Sequence, residues 1–318
     1  MSLRAVIAAV FVPLLAAAAT PTPASPEAAA FTLGVGANQP LGGEEQNGFF
    51  PCGGGPASFD VDADGHWWIL DAIGSRLVVT AKDGSVARTI ALPTTAKKPA
   101  YYSDVALDGA GGALVLDSTA RRIVHVGADG SVTNSFGGEK IPKGKGPHLD
   151  LPRRIHFSGG ALYVEDGGSD ALLRFAPDGS YRDAALAPSA IPNAGGLFAL
   201  TQSGGATWLE AAPAGGHRRP LAKLKAAEGR ELRDAWLVGA TAAGDAVLVQ
   251  REGVTGKDDA DRLRILRIDA KGKIAAEREL PDPDDGVSPT RRFRLTPDGH
   301  LARFELASGR FSAFVSAL

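Results

Sequence analysis

Acidic residues recur at the ends of short apolar segments in the first half of the chain. WWILD ends at Asp71, ALVLD ends at Asp117, and ALYVED ends in Glu165 and Asp166. Carboxylate oxygens are the ligands that Ca²⁺ and similar cations prefer, and a bound cation polarises a carbonyl or activates a water molecule. If the fold gathers these strand ends around a tunnel, the candidate metal ligands are Asp71, Asp104, Asp117 and Glu165.

The same acids also have a structural interpretation. A carboxylate at the end of a strand accepts hydrogen bonds from the N–H groups of the following turn. Arg76 and Arg122 follow Asp71 and Asp117 by five residues, close enough to form ion pairs. For Asp71 and Asp117 the structural interpretation is the favoured one, and the metal centre stays as its alternative.

Other side chains suited to ligand binding lie where a segment begins or just before it. They combine cations, a phenol, an imidazole and acids, and this mixture suits a protein, a peptide or a glycan rather than one metal ion. Together with the four acids above, the candidate ligand-binding residues are Asp71, Tyr102, Asp104, Asp117, His148, Arg154, Glu165 and Arg292.

These residues are embedded in a hairpin pattern that returns about every 46 residues. FDVDADGHWWILD (residues 59–71), VALDGAGGALVLD (105–117) and IHFSGGALYVED (155–166) each read as strand, Gly turn and strand. Period-2 alternation bounded by Gly and Asp predicts strands and hairpins, and repetition at this length predicts stacked units. Six such units fit, with first-hairpin turns near Gly65, Gly111, Gly159, Gly204, Gly244 and Gly299.

The predicted fold is therefore all-β, a six-bladed β-propeller of four-stranded antiparallel blades, with seven blades as the alternative count. The apolar residues of each leading strand should be buried in pairs. The predicted pairs are Phe59/Val61, Val105/Leu107, Ile155/Phe157, Phe198/Leu200, Trp236/Val238 and Phe293/Leu295. Trp67 and Trp68 are adjacent on one strand, so each should pack against a different neighbouring blade.

Two stretches resemble NHL-type repeats of six-bladed propellers. They are GPASFDVDADGHWWILDAIGSRLVVTAKDGS (residues 55–85) and GPHLDLPRRIHFSGGALYVEDGGSDALLRFAPDGS (residues 146–180). The resemblance implies a fold that serves binding modules, lyases and lactonases alike, so it does not specify an activity. We expect a binding or scaffold module for a protein, a peptide or a glycan, with an enzyme as the less favoured interpretation. The alternative is a metal-dependent hydrolase of the lactonase or arylesterase kind, with a divalent cation such as calcium in the tunnel.

A propeller separates its connections onto two faces. The tight-turn face carries the turns between first and second strands and between third and fourth strands of each blade. The loop-rich face carries the second-to-third turns and the connections between blades, which include the long segments 39–56, 93–103, 137–152 and 281–291 and the insertion 251–261. Function concentrates on long loops held by a rigid scaffold, so we expect the ligand at the loop-rich face.

The motif Asp60, Asp62, Asp64, Gly65 and Asp71 imitates an EF-hand calcium loop in its spacing. The apolar segment right after Gly65 predicts a strand where an EF-hand needs a helix, so a hairpin turn is the favoured interpretation. The histidines do not recur at equivalent positions, which argues against a zinc enzyme.

The N-terminus has the composition of an export signal. Arg4 precedes an apolar run that ends in small residues, a pattern typical of a cleaved signal peptide. We expect a signal peptide at 1–19, a Pro/Ala-rich spacer at 20–30 and a single propeller domain at 31–318, in a secreted or periplasmic protein. No second stretch is apolar and long enough to span a membrane.

The net charge and the cysteine content of the chain limit its possible partners and covalent links. A net charge of −2 argues against a nucleic-acid partner, and the single cysteine, Cys52, excludes an internal disulfide. We expect a monomer without a cofactor.

Overall fold

The computed structural model describes residues 27–35, 39–42, 55–94, 100–138, 147–185, 189–282 and 290–318. The predicted signal peptide, most of the spacer and Cys52 lie outside these residues. The described strands form six four-stranded antiparallel sheets, which confirms the all-β propeller and the count of six blades. None of the described residues forms a helix of the length and apolarity needed to cross a membrane.

Each blade begins with the strand nearest the axis and continues outwards. Blade 1 contains β2 (Ser58–Val61), β3 (Trp67–Asp71), β4 (Arg76–Thr80) and β5 (Val86–Ala91). Blade 2 contains β6 (Tyr102–Leu107), β7 (Ala113–Asp117), β8 (Arg122–Val126) and β9 (Val132–Gly137). Blade 3 contains β10 (Pro152–Ser158), β11 (Ala161–Asp166), β12 (Ala171–Phe175) and β13 (Tyr181–Ala185).

The second half of the ring follows the same order. Blade 4 contains β14 (Ala190–Asn193), β15 (Gly196–Ser203), β16 (Ala206–Pro213) and β17 (Arg219–Lys223). Blade 5 contains β18 (Glu231–Ala240), β19 (Ala246–Val254), β20 (Lys257–Ile268) and β21 (Ile274–Pro281). Blade 6 contains β22 (Phe293–Leu295), β23 (Leu301–Ala307), β24 (Arg310–Ser316) and, as its outer strand, β1 (Phe31–Gly34).

Strand β1 closes the ring by joining the two ends of the chain. It pairs antiparallel with β24, with Phe31 opposite Ala313. The ring of Phe31 contacts Trp67 of blade 1 edge-on, with centroids 5.4 Å apart. Its pairing covers the edge of β24 and completes blade 6 with a strand from the other end of the chain.

Residues just before β1 also bind the propeller. Glu27 forms ion pairs with Arg278 at 3.0 Å and with Arg303 at 3.3 Å. The end of the predicted spacer is therefore held against blades 5 and 6.

The core consists of apolar layers between adjacent blades. Trp67 packs in the layer towards blade 6 with Phe59 and Phe304, whereas Trp68 packs in the layer towards blade 2 with Val105. The prediction that the two tryptophans serve different interfaces is confirmed. The six leading strands contact one another in cyclic order and enclose a central channel.

Blade 4 departs from the sequence prediction. The turn near Gly204 joins β15 to β16, so it is a second-to-third connection and not the first hairpin. The leading strand is β14, and its hairpin to β15 turns between Asn193 and Gly196. Phe198 and Leu200 consequently lie on the second strand, although they still pack in the layer between blades 4 and 5.

Candidate functional site in the central channel

The leading strands place apolar side chains between the blades and polar side chains in the channel. Ser58, Asp104 and Arg154 occupy equivalent positions, each opposite the residue that precedes the closing acid of the second strand. This alternation follows from the two-residue period of a strand, because Phe59, Val105 and Ile155 point into the layers. The channel is therefore polar at the level nearest the loop-rich face.

Asp104 is the centre of a buried network that joins four blades. Its Oδ2 accepts hydrogen bonds from Nη2 of Arg291 at 2.7 Å and from the N–H of Ile155 at 2.8 Å. Its Oδ1 accepts from Ser58 Oγ at 2.5 Å. Burial alone would raise the pKa of the Asp104 carboxyl, but Arg291, Arg294 and these hydrogen bonds hold it well below 3.8. Asp104 is a buried anion whose oxygens are fully occupied.

Arg294 lies one level deeper, nearer the tight-turn face. Its Nε donates to the carbonyl of Phe59 at 3.0 Å, and its Nη2 donates to the carbonyl of Val105. Burial, and then the charge of Arg291, lowers the pKa of Arg294 to about 10. Arg294 thus holds blades 1 and 2 to blade 6 by backbone contacts.

Arg154 differs from the other two channel arginines. It is half-buried, and no hydrogen bond or ion pair joins its guanidinium to another residue in the part of the chain that the structure describes. Burial and the charge of Arg291 lower its pKa, whereas Glu165, Asp104 and Asp234 oppose that shift. A guanidinium has five N–H donors, so Arg154 offers a partly desolvated cation at the loop-rich end.

His156 is the next channel residue along β10. Its side chain is 7% exposed, and its Nε2 has no hydrogen-bond partner among the described residues. Burial, and then the charges of Arg291 and Arg294, lowers its pKa well below 6.5. The imidazole is therefore neutral at physiological pH.

The acids that close the second strands have partners at the strand ends. Asp71 accepts from Nε of Arg76 at 2.7 Å and from the N–H groups of Gly42 and Gly74. Asp117 accepts from Nε of Arg122 at 3.1 Å. These are the contacts that the structural interpretation expected.

The proposed metal ligands are not brought together. In the described part of the chain, one group of three His, Cys, Asp or Glu side chains has ligand atoms within 4.8 Å of one another, and it consists of Asp62, Asp64 and His66. Asp71, Asp104, Asp117 and Glu165 therefore do not converge on one point, as metal ligation requires.

The remaining predicted site residues have different surroundings. Tyr102 is fully buried, donates its hydroxyl to the carbonyl of Pro93 at 2.5 Å, and has a pKa raised to about 12 by burial and then by Asp117. Glu165 is buried opposite Arg154 in the β10–β11 register. His148 is exposed and Arg292 is half-buried.

Sequence reasoning missed three members of the channel, which are Ser58, His156 and Arg294. Each lies next to an apolar residue that was correctly predicted to be buried, namely Phe59, Ile155 and Phe293. The prediction was wrong for five members of the pairs, which are half-buried: Leu107, Phe157, Leu200, Trp236 and Leu295. The period of two that selected Phe59, Phe157 and Phe293 also assigns their neighbours to the opposite side of the strand.

Solved structures give the fold independent support. The chain resembles a streptogramin B lyase with a TM-score of 0.50 and 14% identity, over 86% of this chain and 97% of that one. It resembles virginiamycin B lyase from Staphylococcus aureus with a TM-score of 0.50 and 13% identity, over 90% and 98% of the two chains. The likeness shows a shared fold. No protein-family model and no curated protein matches the chain, so membership of the NHL family stays a prediction.

Proposed function

We propose that the protein is an exported binding module that recognises an acidic group of a peptide, protein or glycan at its loop-rich face. The observation that carries the proposal is Arg154. It is the channel arginine that has no described partner, while Arg291 and Arg294 are occupied.

The chemistry of Arg154 favours a carboxylate. Its planar guanidinium matches a carboxylate through two parallel hydrogen bonds, which are stronger than bonds between neutral groups. Partial burial has already removed part of its hydration, as the lowered pKa indicates. A ligand carboxylate would replace that lost hydration at a position fixed by the rigid strand β10.

The loop-rich face also provides surface for a large ligand. Strands β19 and β20 are 9 and 12 residues long, whereas the corresponding strands β3 and β4 of blade 1 have five residues each. The extra residues extend this hairpin at the loop-rich face. An extended hairpin beside the channel mouth suits a polymeric ligand better than a small one.

The hydrolase alternative has weaker support. A cation on Asp71, Asp104, Asp117 and Glu165 would have to displace Arg76, Arg122 and Arg291 from carboxylates that now accept their hydrogen bonds. The fold of the two lyases does not add to this alternative, because the likeness is one of architecture.

The proposal is tested by substituting two adjacent arginines. Arg154→Gln should weaken binding to peptide and oligosaccharide arrays by about tenfold or more for carboxylate-bearing members, because a charge-assisted hydrogen bond is lost. Arg153→Gln is the matched control, since Arg153 is exposed and lies against Gly167 outside the channel. Equal binding by wild type and Arg154→Gln would contradict the proposal.

Metal analysis separates the binding module from the hydrolase. We expect purified protein to hold less than a tenth of an equivalent of divalent metal, and its melting temperature to be indifferent to EDTA. A stoichiometric ion, with a melting temperature that falls on chelation, would favour the hydrolase.

A further inference from the structure

A cavity of about 920 Å³ opens on the tight-turn face, opposite the loop-rich face. It lies at the end of the channel between the first hairpin turns of blades 1, 2, 5 and 6. Its volume is within the range of small-molecule sites, which is roughly 300–1,000 Å³. The turns around it are short, so the opening is framed by backbone that hairpin pairing holds in place.

The charged lining of the cavity is predominantly negative. Among the residues that the structure describes, one cation, Arg267, lines it, and this arginine is 3.7 Å from Asp245. The lining acids are Asp60, Asp62, Asp64, Asp245 and Asp298. Hydrogen bonds from Thr296 and His300 lower the pKa of Asp298, so this carboxyl stays ionised at neutral pH.

The other part of the lining is apolar. Leu107, Phe157 and Leu295 contribute side chains at the ends of three leading strands. A ligand that fills the cavity would therefore place an apolar body beside these residues and a positive group beside the acids. Sites of this kind combine burial of apolar surface with a few polar contacts that fix orientation.

A metal ion fits the acids less well than an organic cation. Oδ1 of Asp62 accepts the N–H groups of Asp64 and His66, and its Oδ2 accepts from Trp68 Nε1 and contacts His66 Nδ1 at 3.0 Å. Both oxygens of Asp62 and one ring nitrogen of His66 are thus engaged within the hairpin turn. The acids further around the rim, Asp245 and Asp298, belong to other blades and suit a larger ligand that spans the opening.

We propose that this cavity binds a small organic cation, an ammonium or amidinium group carried on an apolar body. The proposal goes beyond the binding function above, because the site lies at the other end of the channel and selects the opposite charge. Either site can exist without the other.

The test uses three probe cations and one neutral probe. Isothermal titration calorimetry with 2-phenylethylamine, benzamidine and cyclohexylamine should detect binding of at least one at millimolar concentration or below. 2-Phenylethanol, which matches 2-phenylethylamine in shape but is uncharged, should bind at least tenfold more weakly. Failure of all three cations to bind, or equal binding of the neutral probe, would overturn the proposal.

Substitution locates the bound cation. The triple variant Asp64→Asn, Asp245→Asn, Asp298→Asn should lose binding by about tenfold or more. The matched control is Asp83→Asn, Asp129→Asn, Asp178→Asn, which removes the same charge from exposed third-to-fourth turns outside the cavity. Asp64→Asn alone, at an exposed residue, provides a milder variant should the triple variant not fold.

The outcomes of these substitutions are decisive in both directions. Amine binding that is unchanged in the control triple variant and weaker in the cavity variants supports the site. Equal losses in both triple variants, or displacement of the amine by stoichiometric Ca²⁺, would overturn it, since the first indicates a general charge effect and the second a metal site.

Discussion

At each end of the channel an aspartate accepts a backbone N–H from the next blade, but the two aspartates differ in burial. Asp104, near the loop-rich face, accepts the N–H of Ile155 from the next blade, and Asp60, near the tight-turn face, accepts the N–H of Leu107 from the next blade. Asp104 is fully buried and bonded to Arg291 at 2.7 Å, whereas Asp60 is partly exposed and 4.0 Å from Arg294. The first aspartate therefore acts mainly on stability, and the second places a carboxylate in the lining of the cavity.

The largest expected difference between the two ends concerns stability. Asp104→Asn should lower the free energy of unfolding by about 3–5 kcal/mol, because it leaves Arg291 buried without its anion. Asp60→Asn should lower the free energy of unfolding by only about 1 kcal/mol, because water can replace much of the hydrogen bonding of the partly exposed carboxylate. Urea denaturation at neutral pH measures both. Equal losses of stability at the two positions would contradict different roles for Asp104 and Asp60.

The pH dependence of stability sharpens the same comparison. The folded-state pKa of Asp104 is lowered from 3.8, so its ionisation stabilises the fold above that ordinary value. The contribution is lost as the pH falls from about 4 towards the folded-state pKa, because the unfolded chain then binds the proton first. We expect the stability difference between wild type and Asp104→Asn to be constant near neutral pH and to narrow in acid.

Denaturation midpoints at a series of pH values down to about 2 check this prediction. A stability difference between wild type and Asp104→Asn that stays unchanged in acid would contradict an ion pair between Asp104 and Arg291.

A smaller effect concerns His156, which lies between the two ends. Because burial and the nearby arginines lower its pKa below 6.5, its imidazole should remain neutral in the folded protein at pH 6. The unfolded chain binds the proton more readily, so His156 should reduce stability as the pH falls below about 6.5. NMR titration, with the signal assigned by comparison with His156→Gln, tests this. An imidazole of His156 that titrates near its ordinary pKa would place it in solvent and not in the channel.

Local patterns were enough to predict the fold wherever a blade repeats its hairpins clearly. The leading strands of blades 1 to 3 alternate and are followed by Asp-Gly or Gly-Gly turns, and their first-hairpin turns were predicted correctly. Strand β14 has four residues, one of them Pro192, so it gives little alternation, and the glycine turn of the following hairpin was mistaken for its own.

Pairings between distant parts of the chain gave no local signal. Strand β1 pairs with β24 at the opposite end of the chain, and the ion pair of Asp104 and Arg291 joins residues 187 positions apart. The candidate residues Asp104 and Arg154 were found because they lie at strand entries. Arg294 and His156 lie deeper, where strand alternation identifies a side of the strand but not the partners that meet there.

The most direct test of the account compares one acidic and one cationic probe on the same four proteins. A carboxylate-bearing peptide or oligosaccharide from the arrays and 2-phenylethylamine would be titrated into wild type, Arg154→Gln, Arg153→Gln and the cavity triple variant. We expect Arg154→Gln to weaken only the acidic probe and the cavity variant to weaken only the amine. Acidic-probe affinity that falls in Arg153→Gln but not in Arg154→Gln would contradict a recognition site centred on Arg154.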